Sequence, residues 1–210
     1  MTSYAKLTSG LIGAWFVLIV AASALHLIEN APSKPPLPLG IAAITPIVVF
    51  LVWFAASPPF RQFTLSLSPR VLTLVQSWRI AGFVFLVLST YGILPRLFAW
   101  PAGWGDIAIG ATAPLVALKL ANPGYRLSFI AWQLLGMADL LTAVTLGTLA
   151  SVLDPHGIPT SAMTVLPMSL IPTFAVPLFF ILHIISIAQA KQWHARENQP
   201  AGQPLPLQAL

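Results

Sequence analysis

Residues 127–150 read LSFIAWQLLGMADLLTAVTLGTLA, an apolar run broken by one charged residue, Asp139, near its middle. A helix needs about 20 mostly apolar residues to cross a bilayer, and this stretch supplies them. The rest of the chain repeats the pattern. Comparable segments lie at 10–29, 38–56, 71–94, 102–121 and 168–190, separated by Pro, Gly and charge. Over 210 residues, 57% are hydrophobic and 7% charged, against roughly 25% charged in soluble domains. That excludes a soluble enzyme, a nucleic-acid-binding domain and a disordered chain. The composition predicts an all-α polytopic membrane protein embedded in a lipid bilayer, a bundle of six transmembrane helices over residues 1–190. Residues 191–210, polar and Pro-rich, are expected to form a disordered cytoplasmic tail.

Basic residues set the orientation, because Lys and Arg are retained on the cytoplasmic side. With the N-terminus inside, Lys6, Arg61, Arg70, Arg79, Lys119, Arg126, Lys191 and Arg196 are cytoplasmic, and only Lys34 and Arg96 face outward. The even number of spans then places both termini inside. Trp53, Trp78, Trp100 and Trp104 fall near span ends, where interfacial aromatics belong. Lys6, the run Leu11 to Val20 and Ala22-Ser23-Ala24 also resemble a cleavable secretory signal. The apolar continuation through Leu25, Leu27 and Ile28 favours an uncleaved first span instead. An interfacial segment is expected around Phe60 to Ser68. No internal repeat of the inverted-repeat transporter kind is visible.

Ionisable groups inside the bilayer are expensive, at about 2.5–3.5 kcal/mol each on insertion scales, and mark candidate sites. Three stand out: Arg79 in span 3, Asp139 in span 5 and His183 in span 6. By the helical rise, Arg79 and His183 lie roughly 5–6 Å to the cytoplasmic side of Asp139, within about one turn of depth. Gly136, Asp139, Ala143 and Gly147 share a small-residue face, Gln76, Arg79 and Gly82 another, and Thr173, His183 and Ser186 a third. Pro177 frees the carbonyl of Thr173 for another donor. Two readings stand together: a proton- or ion-responsive relay centred on Asp139, with His183 titrating, and a packing ion pair Arg79–Asp139.

A second group, His26, Glu29, Arg96 and Asp106, is expected near the outer surface as the mouth of such a site. Asp106 would also complement the dipole of a helix opening at Pro101-Ala-Gly-Trp-Gly-Asp106. These ligands are too few and too loosely spaced for a metal site, and no metal is predicted. Asp154-Pro155-His156-Gly157 reads as a turn.

Several chemistries lack their residues. No lysine sits in mid-membrane for retinal, span 4 has no serine for a rhomboid-type protease, and no His-Glu-x-x-His or cysteine occurs. A bis-histidine haem is disfavoured because His26 and His183 differ by about 16 Å in depth. No cofactor is predicted and no nucleic-acid partner, since the basic residues do not cluster.

Arg79-Ile-Ala-Gly82, Leu94-Pro95 and Pro101-Ala-Gly-Trp-Gly-Asp106 resemble a stretch of small bacterial integral membrane proteins without an assigned activity. The resemblance implies a bacterial inner-membrane location and brings no catalytic residue. The expected function is binding or transport of a small solute or ion, more in keeping with a non-enzyme. Alternatives are an accessory subunit partnering another membrane protein and a haem- or lipid-linked membrane enzyme.

Overall fold

The computed structural model describes residues 3–29, 37–154 and 157–197. The expected outer loop with Lys34, Pro155 and His156 of the turn, the Arg196 side chain and tail positions 198–210 lie outside what is described. Every regular element among the described residues is helical. In order they are α1 (Ser3–Ala24), α2 (Leu37–Ala56), α3 (Pro58–Leu65), α4 (Pro69–Val75), a 3₁₀ segment (Gln76–Gly82), α5 (Phe83–Thr90), α6 (Arg96–Lys119), α7 (Arg126–Leu153) and α8 (Val176–Glu197). Short 3₁₀ turns occupy Pro123–Tyr125 and Ser161–Thr164, and a π-helical turn, Ile171–Ala175, precedes α8.

Among the described residues, five helices are long and apolar enough to cross a membrane: Ser3–Ala24, Leu37–Ala56, Pro69–Thr90, Pro123–Ala150 and Ile171–Trp193. Large apolar side chains stay on their surfaces, among them Val17, Leu18, Val52, Phe83, Leu135 and Leu141. Such continuous apolar exposure fits lipid and not water. The expected count of six is not confirmed, because the apolar run of α6 is interrupted. Asp106, Pro101, Pro114 and glycines 103, 105 and 110 dilute it.

The helix ends differ from the expected ones for local reasons. The first helix stops at Ala24, not at residue 29. His26 adopts φ 59°, and Leu27 N–H and His26 N–H bond the carbonyls of Ala22 and Ser23. This is a Schellman ending with a histidine where glycine is usual. The third span ends the same way at Thr90 rather than residue 94. Gly92 takes φ 70°, and Ile93 and Gly92 bond Leu88 and Ser89. Pro95 then leads directly into α6, which begins at Arg96, well before the expected residue 102. The segment expected at the interface contains a helix, α3, capped by Ser57, whose Oγ accepts from Phe60 N–H at 3.4 Å, with prolines in its first turn. At the other end, α8 runs past Lys191 to Glu197.

α6 sits at the centre, packed against the 3₁₀ segment, α4, α5 and α7. Two apolar clusters are strung along it. One gathers Phe85, Leu94, Phe98, Ala99, Ala102, Ala150 and Met163; the other gathers Ile109, Ala113, Val116, Phe129, Trp132 and Ala190. Asp106 falls between them. A third cluster, Phe50, Phe60, Leu72 and Ile185, joins α2, α3, α4 and α8.

Candidate functional site

The site starts from a three-residue rhythm. Thr73, Gln76, Arg79 and Gly82 are all buried, and in a 3₁₀ helix residues three apart align on one line. Winding residues 76–82 as 3₁₀ therefore points Gln76, Arg79 and Gly82 into the bundle together. α6 meets this segment backbone to backbone. A Cβ at Gly110 would strike the main chain of Arg79 and Ile80, and one at Gly82 would strike Asp106.

Arg79 is 2% exposed and spends every nitrogen. Nε donates to Asp106 Oδ1 at 2.7 Å. Nη2 donates to Asp139 Oδ2. Nη1 donates to Gly136 O at 3.2 Å and lies 3.3 Å from His183 Nε2. Since a guanidinium has donors only, Nε2 accepts and the imidazole proton sits on Nδ1. That proton points at Gln133 Oε1. Gln133 Nε2 in turn donates to Thr73 Oγ1 at 3.3 Å, and Thr73 Oγ1 to Pro69 O at 2.8 Å. The hydrogen bonds thus run one way from the guanidinium to the start of α4, with no donor or acceptor mismatched. Trp132 packs its ring beside His183, with centroids 5.9 Å apart, and donates Nε1–H to Thr112 Oγ1 at 3.0 Å.

The predicted trio Arg79, Asp139 and His183 is brought together. Asp106, expected at the outer mouth as a helix-opening carboxylate, is instead ten residues inside α6 and belongs to this cluster. The cause is the early start of α6. The other mouth residues are not assembled with it. His26 Nδ1 and Glu29 Oε1 pair with each other at 2.6 Å beyond the end of α1, and Arg96 lies over the Trp100 ring, 5.4 Å from its centroid. No hydrogen bond or ion pair joins these three groups among the described residues. Among the described residues, no group of three His, Asp or Glu side chains is placed to hold a metal.

Gln133 and Thr73 complete the site although neither ionises; the three-residue recurrence Gln133, Gly136, Asp139 on one face of α7 is the sequence signal that points to the amide. Gly105 and Gly136 are needed for close approach: a Cβ at Gly105 would meet the Asp139 carboxylate, and one at Gly136 the His183 ring.

In charge, one guanidinium faces two carboxylates, and the neutral imidazole adds nothing. Arg79 is 1% exposed in its side chain, whereas Asp106 and Asp139 are each 15% exposed. Asp106 lines a cavity of about 570 Å³ between α2, α5, α6, α7 and the 159–176 stretch, toward the end of the bundle that carries the α5–α6 and α7–α8 connections.

These features define a polytopic helical membrane protein with a buried Arg–Asp–His cluster. Residues 36–190 match a domain of unknown function, DUF8737, and the chain belongs to that family. The matched region holds Arg79, Asp106, Gln133, Asp139 and His183, while α1 lies outside it. No curated protein matches the chain. No solved structure matches it either.

Proposed function

We propose that this protein binds a proton or small cation at the Arg79–Asp106–Asp139 cluster and serves in binding or transport of a small solute or ion across its membrane. One observation carries the reading: a packing pair needs one carboxylate on Arg79, and two are present. With both ionised the cluster holds one negative charge in surroundings that solvate it poorly, and a proton or cation supplies the balance. The arrangement of Arg79 and His183 supports a fixed role for both. His183 Nε2 is occupied by the guanidinium, so the histidine acts as a neutral acceptor that orients Arg79, and the exchanging charge resides on the carboxylates.

In this reading α6 is the sixth span, with both termini cytoplasmic. At about 1.5 Å per residue it is long enough, and its polar side chain is turned to Arg79 instead of lipid. The membrane is the bacterial inner membrane, as the sequence resemblance implies. The accessory reading, in which the cluster only sets helix register, draws support from the close backbone crossing at Gly110 and the engagement of every Arg79 nitrogen. The haem reading has less support, since both ring nitrogens of His183 are already hydrogen-bonded.

Reconstituted vesicles with a pH gradient and an entrapped pH-sensitive dye separate the two. Asp139→Asn leaves Arg79 paired one to one with Asp106, so the variant is expected to fold with parental yield and melting temperature. Loss of dye-reported flux at unchanged stability supports transport. Unchanged flux, or no flux above empty vesicles in the parent, overturns it.

A further inference from the structure

The cavity beside Asp106 has a chemistry of its own. Its walls are mainly apolar, with Ile44, Phe85, Phe98, Ala143, Val144 and Ile171 among them, and no lysine, arginine or histidine among the described residues lines it. Four threonines do, and each already donates its hydroxyl proton to a backbone carbonyl: Thr45 to Ile41 at 2.7 Å, Thr148 to Val144 at 2.9 Å, Thr160 to Gly147 at 3.2 Å and Thr164 to Ser161 at 2.7 Å. What these side chains present to the cavity is lone pairs. At one wall Asp106 adds a carboxylate whose Oδ1 takes Arg79, and Oδ2 has no hydrogen-bond partner among the described residues. Beyond the Ser161 hydroxyl, an anion would meet only acceptors among the described side chains here. A molecule that brings a positive donor on an apolar body would meet complementary chemistry at both ends.

Size and access agree with this. About 570 Å³ falls within the roughly 300–1,000 Å³ typical of pockets for drug-sized ligands. Ile41 and Ile44, on the α2 wall, are 66% and 60% exposed. The cavity is therefore open along a flank that is itself apolar, and an occupant can arrive from the lipid phase. We infer that this cavity is a binding site for lipophilic amines, with the ammonium at Asp106 and the apolar body between α2 and α7. The inference rests on the reading of the two carboxylates as one charge in excess of Arg79, and it names what supplies the balance.

Calorimetric titration of the full chain in nanodiscs tests it, using cyclododecylamine and its uncharged match cyclododecanol, with empty nanodiscs as the partitioning reference. Saturable amine binding at least tenfold tighter than alcohol binding is expected, with Asp106→Asn reducing the amine to the level of the alcohol. Ile44→Trp, which fills the cavity from α2 without touching the charged cluster, is expected to abolish saturable binding of both. Equal affinity of amine and alcohol, no saturable amine binding, or amine binding that survives Ile44→Trp overturns the inference. The vesicle assay reads the other proposal separately: flux that depends on Asp139 with no amine binding removes this inference and leaves the transport reading standing.

Discussion

Arg79 and Asp106 are joined by a 2.7 Å bond from Nε to Oδ1, across 27 residues of sequence. That bond fixes the rotation of α6 against the 3₁₀ segment and leaves Nη2 of the guanidinium for Asp139. Removing the shared partner is therefore worse than removing either acid. Arg79→Gln strands two carboxylates in apolar surroundings and is expected to destabilise by about 3–5 kcal/mol. The triple variant Arg79→Gln/Asp106→Asn/Asp139→Asn is expected to recover most of that loss in thermal unfolding in detergent.

Gly105→Ala places a methyl group where the Asp139 carboxylate lies. Overpacking of this kind costs about 1–3 kcal/mol. Gly13→Ala in α1, where nothing lies within 4 Å of the added carbon, should be neutral or raise stability by up to about 1 kcal/mol. Comparing the two melting temperatures checks the close approach of α6 and α7, since equal values would contradict it.

Gln133→Leu removes the acceptor of His183 Nδ1–H and leaves a buried donor unpaired, at an expected loss of about 1–3 kcal/mol. His183→Leu in the same background should return part of the loss. A Gln133→Leu variant as stable as the parent would mean that the one-way chain of hydrogen bonds does not hold Arg79 in place.

The two Schellman endings predict opposite outcomes for opposite substitutions. Gly92→Ala forces a side chain into the left-handed region at φ 70° and should lower stability by about 1–2 kcal/mol. His26→Gly relieves the same conformation at φ 59° and should raise it, less whatever the exposed pairing with Glu29 contributes. Denaturation of the two variants beside the parent reads both signs.

The chain has no cysteine, so single cysteines report topology directly. With six spans and both termini inside, Ser66→Cys is expected to resist a membrane-impermeant maleimide in intact cells, and Gly157→Cys to react. Labelling of both from the same side would remove α6 as a span.

Much of this protein was legible in its sequence because partition into lipid depends on composition averaged over about 20 residues, which is a local quantity. The all-helical membrane class and five of the spans follow from that alone. So does the meeting of Arg79, Asp139 and His183, since buried charges in small-residue faces at one depth have few other partners to find. The place of Asp106 was not legible. Its assignment to an outer mouth assumed a helix starting near Pro101, whereas the Gly92 turn and Pro95 start α6 at Arg96 and carry Asp106 inward. His26 and Glu29 pair with each other and Arg96 lies over Trp100, so these three are not gathered around Asp106. Gln133 and Thr73 joined the site only when the three helices were brought together, because a neutral amide costs too little in a span to announce itself. The sequence by itself determined which segments are apolar enough for lipid and which charges must find protein. Only the tertiary structure decided which polar atoms meet, because helix rotation and separation are set by non-local contacts such as Gly110 on the Arg79 backbone and Gly105 on Asp139.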